Sequence, residues 1–131
     1  MMTMRKLLAF FSFLVVTNCY KAKRKCEDFK TGTFEFTYTL DGVEKKGKFI
    51  RTNDLNIDYY DNKIDSASIR WINDCEFIQK KINPKNKSEE KAIHMKIVST
   101  TANSYTFEYQ LAVQDEFKKK RVEKGTARKL D

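Results

Sequence analysis

Between Thr33 and Leu40 every even position is apolar and every odd position polar, the period of two that buries one face of a β-strand. Asp41-Gly42 follows at once. This dipeptide accepts the positive backbone angles of a tight hairpin turn, so Val43 to Thr52 is the expected return strand, with Lys45 and Lys46 facing water. The alternation returns at Tyr105, Phe107, Tyr109, Leu111 and Val113. A matching stripe of Ile93, Met95 and Ile97 runs between Lys91 and Thr101, with Asn103-Ser104 at the turn. Between these hairpins, Leu55, Ile57 and Tyr59 share a face of one expected strand, Leu55 to Tyr60. Ile69, Trp71, Cys75 and Phe77 share a face of another, Ser68 to Gln79. A last strand is expected from Arg121 to Leu130, where Lys124-Gly125-Thr126 marks a bulge or a close backbone approach. Asn83 to Glu89 is polar, contains the proline, and reads as a long loop. About seven strands in sequential hairpins predict an all-β antiparallel meander, curled into a small barrel or a sandwich.

The N-terminus follows a different pattern. Arg5-Lys6 precedes Leu7 to Val16, a run without a charge. It is about half of the roughly 20 residues that a permanent membrane helix needs, which predicts a removable export signal helix over residues 1–18. Val16-Thr17-Asn18-Cys19 resembles the lipobox of bacterial lipoproteins, an aliphatic residue at minus three and then the acylated cysteine, although Asn18 is bulkier than the usual Gly, Ala or Ser. Cys19 is therefore the expected lipidation site, and the alternatives are a plain secretory signal or an uncleaved anchor. Residues 19–25, with Lys21, Lys23, Arg24 and Lys25, read as a basic tether, which leaves 26–131 as a single β-domain.

Charge adds a partner to test. The formal net charge of +8 falls by two when Arg5 and Lys6 leave with the signal, and the remaining basic residues scatter among acids instead of forming one face. No helix-turn-helix, zinc-finger or RNA-binding aromatic pattern accompanies them, so nucleic acid is not an expected partner. Of three cysteines, assigning Cys19 to lipid leaves Cys26 and Cys75 as a pair in an oxidising compartment. A bond between them closes a loop of about 50 residues and stabilises by roughly 4 kcal/mol on the chain-entropy model; the alternative is two buried thiols.

The segments Cys26-Glu27-Asp28-Phe29-Lys30-Thr31-Gly32-Thr33-Phe34, Ile50-Arg51-Thr52-Asn53-Asp54, Ile69-Arg70-Trp71-Ile72-Asn73-Asp74-Cys75-Glu76-Phe77 and Lys124-Gly125-Thr126 together resemble a family of short, uncharacterised lipoproteins from Flavobacteria and other Bacteroidota. The resemblance spans most of the mature chain and implies no activity. Short chains of this kind are sometimes given a topoisomerase name, which the length and the lack of a nucleotide motif oppose. Surface lipoproteins of that group tend to carry acids after the cysteine. The lysines here point instead to the periplasmic face of the outer membrane.

Catalytic machinery is scarce. His94, the single histidine, alternates with Met95 and belongs to the polar face, and no metal-ligand spacing or Gly-rich phosphate loop occurs. Glu27 with Asp28, Asp74 with Glu76, and Asp115 with Glu116 are carboxylate pairs of the kind that surface charges form. No metal, cofactor or enzymatic activity is expected. Aromatics are plentiful: of one Trp, six Tyr and ten Phe, only Phe10, Phe11 and Phe13 go with the signal. They fill a dry core, or Tyr38, Tyr59, Trp71, Tyr105 and Tyr109 face a ligand. The expected function is a membrane-anchored binding or accessory module of the cell envelope. A lipocalin-like carrier of a small apolar molecule and a periplasmic inhibitor or stress protein binding an envelope protein are its alternatives.

Overall fold

The computed structural model describes residues 23–113 and 122–131; the signal segment, Cys19 and residues 114–121 lie outside the described residues. Eight strands follow one another: β1 (Gly32–Leu40), β2 (Val43–Arg51), β3 (Leu55–Tyr60), β4 (Lys63–Asn73), β5 (Glu76–Lys81), β6 (Ile93–Thr100), β7 (Ser104–Leu111) and β8 (Glu123–Lys129). Each pairs antiparallel with the next, and β8 pairs with β1 through Phe34↔Lys129 and Phe36↔Ala127, closing a barrel. The seam is short, Phe34 to Phe36 against Ala127 to Lys129, and over that length it covers the edge that each strand would otherwise expose.

The eighth strand comes from the stretch 68–79, which holds a turn instead of one long strand. Asn73 makes that turn: its Oδ1 accepts the Cys75 amide at 2.9 Å, and its Nδ2 donates to Glu76 Oε2 at 2.7 Å. Such a side-chain bond to the backbone two residues on is a turn signal that the apolar period of two hides. Upstream, Asp61 and Asn62 both adopt positive φ, 48° and 56°, so β4 starts at Lys63 in a tight hairpin, as β2 does after Asp41 (φ 51°) and Gly42 (φ 75°).

Register decides what points inward. Phe34↔Phe49, Arg51↔Asn56 and Phe49↔Asp58 place Asn56, Asp58 and Tyr60 inside, and turn the apolar set Leu55, Ile57 and Tyr59 outward. Tyr59 is 40% exposed. A one-residue phase moves every side chain of a strand to the other face.

One end of the barrel is shut. A 3-10 turn at Cys26–Phe29 drops Phe29 onto Phe34, Phe49, Ile97, Tyr105 and Ala127, all buried. The Cys26–Cys75 disulfide, Cα atoms 5.2 Å apart, staples this plug to the β4–β5 turn. Trp71 packs on Phe77 with ring centroids 4.7 Å apart, and Lys30 Nζ sits 4.9 Å above the indole while pairing with Asp74 at 2.8 Å. Arg24 and Lys25, read from sequence as tether, already bond to β6, Arg24 Nη1 to Ile97 O at 3.0 Å and the Lys25 amide to Thr100 Oγ1 at 2.9 Å. The C-terminal residues are tied down beside them, with Leu130 N donating to Thr33 O and Asp131 Oδ1 accepting the Thr33 amide.

Two glycines shape the interior. Gly47 lies opposite Phe36 and Gly125 opposite Phe107. A Cβ at either position would come within 2.4 or 2.5 Å of a ring carbon, so each ring lies flat across a bare stretch of neighbouring backbone. The rings are held against the wall.

Candidate ligand-binding site

Above the plug the barrel is hollow. A cavity of about 490 Å³ falls within the roughly 300–1,000 Å³ typical of small-molecule sites. Its walls are mostly apolar: Phe36 and Tyr38 from β1, Ile93 and Met95 from β6, Phe107 and Tyr109 from β7. Sequence alternation alone accounts for these, since each is an in-phase residue of a strand with one buried face. Tyr60 joins them from β3, its ring 6.1 Å from that of Tyr38 in an edge-on contact.

The floor is polar, and Arg51 makes it. This side chain is 3% exposed, and its guanidinium carbon lies 5.2, 5.0, 4.8 and 5.5 Å from the rings of Phe34, Phe49, Phe77 and Tyr105. A buried cation needs its donors satisfied. Nη1 donates to Phe29 O at 3.0 Å, Nη2 to Tyr105 Oη at 2.6 Å, and Nε reaches Asn56 Oδ1 at 3.4 Å. The planar, weakly hydrated guanidinium suits this site, where its faces stack on rings and its edges donate. Burial pushes the Tyr105 phenol up, the Arg51 charge and bond acting against it.

Asn56 passes the chain upward, donating from Nδ2 to Asp58 Oδ1 at 3.0 Å. Asp58 borders the aromatic cavity and an adjoining one of about 380 Å³ on the side of the β5–β6 loop. Burial pushes its carboxyl up to about 6. The bond from Asn56 and the charges of Arg51 and Lys81 oppose the shift, and Asp65 adds to it. Asp65 stands directly across from Asp58 on β4, an arrangement of like charges that destabilises a sheet. Tyr60 Oη donates to Asp65 at 2.6 Å, which pushes the Tyr60 phenol up to about 12. Lys81 lies 3.7 Å from Asp65 and 2.9 Å from Glu89 of the β5–β6 loop, so its charge is shared between two acids. In that loop Glu89 also accepts the Lys85 amide, and its own amide bonds to Asn86 Oδ1.

Of the five aromatics that the sequence offered to a ligand, Tyr38, Tyr105 and Tyr109 line the cavity. Tyr59 is on the outer wall, and Trp71 packs on Phe77 at the closed end, away from the cavity lining. Arg51, Asn56, Asp58 and Gln79, the polar part of the site, were not expected from sequence. The available signal was parity: Arg51 is in phase with Phe49, and Asn56 and Asp58 with Tyr60. His94 is turned outward, its Nε2 3.1 Å from Glu76 Oε1. The carboxylates paired by sequence are otherwise engaged: Asp74 with Lys30, Glu76 with Asn73 and His94. Asp115 and Glu116 lie outside the described residues. No family model, curated protein or solved structure matches this chain.

Proposed function

We propose that the protein is a non-catalytic binding module whose barrel carries a small, largely apolar molecule, and that it is exported and held at the periplasmic face of the outer membrane by a lipid on Cys19. The observation that carries the reading is the hollow upper barrel: aromatic and aliphatic walls over a short polar floor are the usual composition of a site that takes up a small molecule and orients it. The lack of a reactive arrangement within it supports a binding role. Among the described residues that line this chamber Asp58 is the one carboxylate, and Asp65 borders the adjoining cavity.

Titration with the neutral fluorescent probe N-phenyl-1-naphthylamine tests the binding role. One equivalent is expected to bind with enhanced emission, and Met95→Trp, which fills the cavity, abolishes it. No enhancement from a protein with a β-type circular dichroism spectrum would overturn the proposal. Anchoring is read separately, by palmitate labelling that disappears in Cys19→Ala; label persisting in that variant refutes the anchor.

A further inference from the structure

We propose that the ligand is a small organic cation, an amine or ammonium group on an aromatic body, with its positive end received by the Asp58 carboxylate and its body held among the cavity rings. This rests on the binding role above and names the ligand's chemistry.

Three observations lead to it. Asp58 accepts one hydrogen bond among the described residues, at Oδ1 from Asn56. Among the described residues, the one fully buried side-chain polar atom without a partner is Trp71 Nε1, so Asp58 Oδ2, which has none either, opens to the cavities that Asp58 borders. A carboxylate oxygen set into a largely apolar chamber is completed by a ligand that brings a donor, and a charged donor forms the stronger bond. Secondly, the nearby rings of Phe36, Tyr38, Tyr60, Phe107 and Tyr109 offer π faces, which attract cations. Thirdly, the one cation in the floor is shielded from a ligand. Arg51 is sandwiched by four rings and directs donors at Phe29, Tyr105 and Asn56.

The charges around Asp58 are engaged with one another. Arg51 lies below it on β2, Asp65 beside it on β4, Lys81 beyond on β5 and the neutral Tyr105 phenol across the barrel on β7. Lys81 is held between Asp65 and Glu89. Asp58, Asp65 and Glu89 are matched in number by Arg51, Lys81 and Lys91, but of the charged groups that line the aromatic chamber Arg51 has its donors engaged and Asp58 keeps an open oxygen, so an incoming acid would meet Asp58 first. A neutral apolar molecule would dry the Asp58 oxygen and give it nothing in return.

The test uses the purified protein and three ligands of one shape, tryptamine, tryptophol and indole-3-propionate, each displacing N-phenyl-1-naphthylamine. At pH 7.5 tryptamine is expected to bind at least tenfold tighter than tryptophol, and indole-3-propionate more weakly than either. Lowering the pH to 5 protonates Asp58. With its carboxyl near 6, tryptamine then loses about tenfold in affinity, while tryptophol changes less than twofold. Asp58→Asn is expected to bring the amine and the alcohol to equal affinity. As a check independent of that variant, the midpoint of the Asp58 carboxyl carbon signal in NMR falls when tryptamine is added. Equal binding of the three ligands, or preference for the acid, with the probe still bound, overturns the cation and spares the binding role. Failure of the probe itself overturns both.

Discussion

Removing the charge from Asp58 should make the protein more stable, and only above a definite pH. The carboxyl rises from an ordinary 3.8 to about 6 in the folded state. At 1.36 kcal/mol per unit this corresponds to roughly 3 kcal/mol, and water reaching the side chain through the cavity lowers it to about 2–3 kcal/mol. The sign follows from proton binding. A folded state that holds the proton more tightly than the unfolded chain gains that stability in full below about pH 4, and loses it as pH rises through about 6. Asp58→Asn keeps an oxygen to accept from Asn56 and has nothing to ionise. The variant is therefore expected to gain on the wild type progressively between pH 4 and pH 7, and to exceed it by about 2–3 kcal/mol at pH 7.5, relative to their difference at pH 4. For a domain of about 100 residues this is on the order of 10–20 °C in melting temperature. Urea and thermal unfolding from pH 4 to 8, followed through Trp71, the lone tryptophan, give the curve. A difference that is flat across pH, or that runs in favour of the wild type as pH rises, refutes the burial of this carboxylate.

Three further outcomes follow from the closed end and the walls. Replacing Cys26 and Cys75 by serine opens a link spanning 49 residues and should cost roughly 4 kcal/mol; urea unfolding with and without reductant checks it, and an unchanged midpoint would be the contrary result. Gly47→Ala puts a methyl into the Phe36 ring, which should swing the ring into the cavity, destabilise by about 1–3 kcal/mol and weaken probe binding, all visible in one titration and one melt. Arg51→Met keeps the stem but strips the donors from Phe29 O and Tyr105 Oη, a loss of about 2–4 kcal/mol. A variant as stable as the parent would show that these bonds contribute little.

The parts of the fold that are legible in sequence are those where the inside is greasy. β1 and β7 show their period of two because Phe34, Phe36, Tyr38, Tyr105, Phe107 and Tyr109 face core or cavity while the outer positions are polar. The pairing of Cys26 with Cys75 was equally readable, from their number. β3 misleads because its inner face is the polar wall of the chamber, whereas its outer face carries Leu55, Ile57 and Tyr59, with Ile57 beside Ile50 of β2. Hydrophobic phase reports the apolar side of a strand, and here that side is the outside. The division between β4 and β5 was missed for a different reason: Asn73 turns the chain with its side chain, while Trp71, Cys75 and Phe77 keep the rhythm across the break. The polar floor could not be assembled from sequence at all, because Arg51, which Asn56 links to Asp58, meets Tyr105 only after the barrel closes.

Both described ends of the chain leave from beside the plug, at the pole opposite the chamber. Under the proposed anchoring, a tether ahead of Lys23 would grip the molecule by its base, as a stem holds a cup, and the rim would look away from the surface that holds the stem. Exchange of the proposed ligand would then take place with the surrounding water and not with that surface. For the same reason a tag or a fusion joined at either terminus leaves the rim clear.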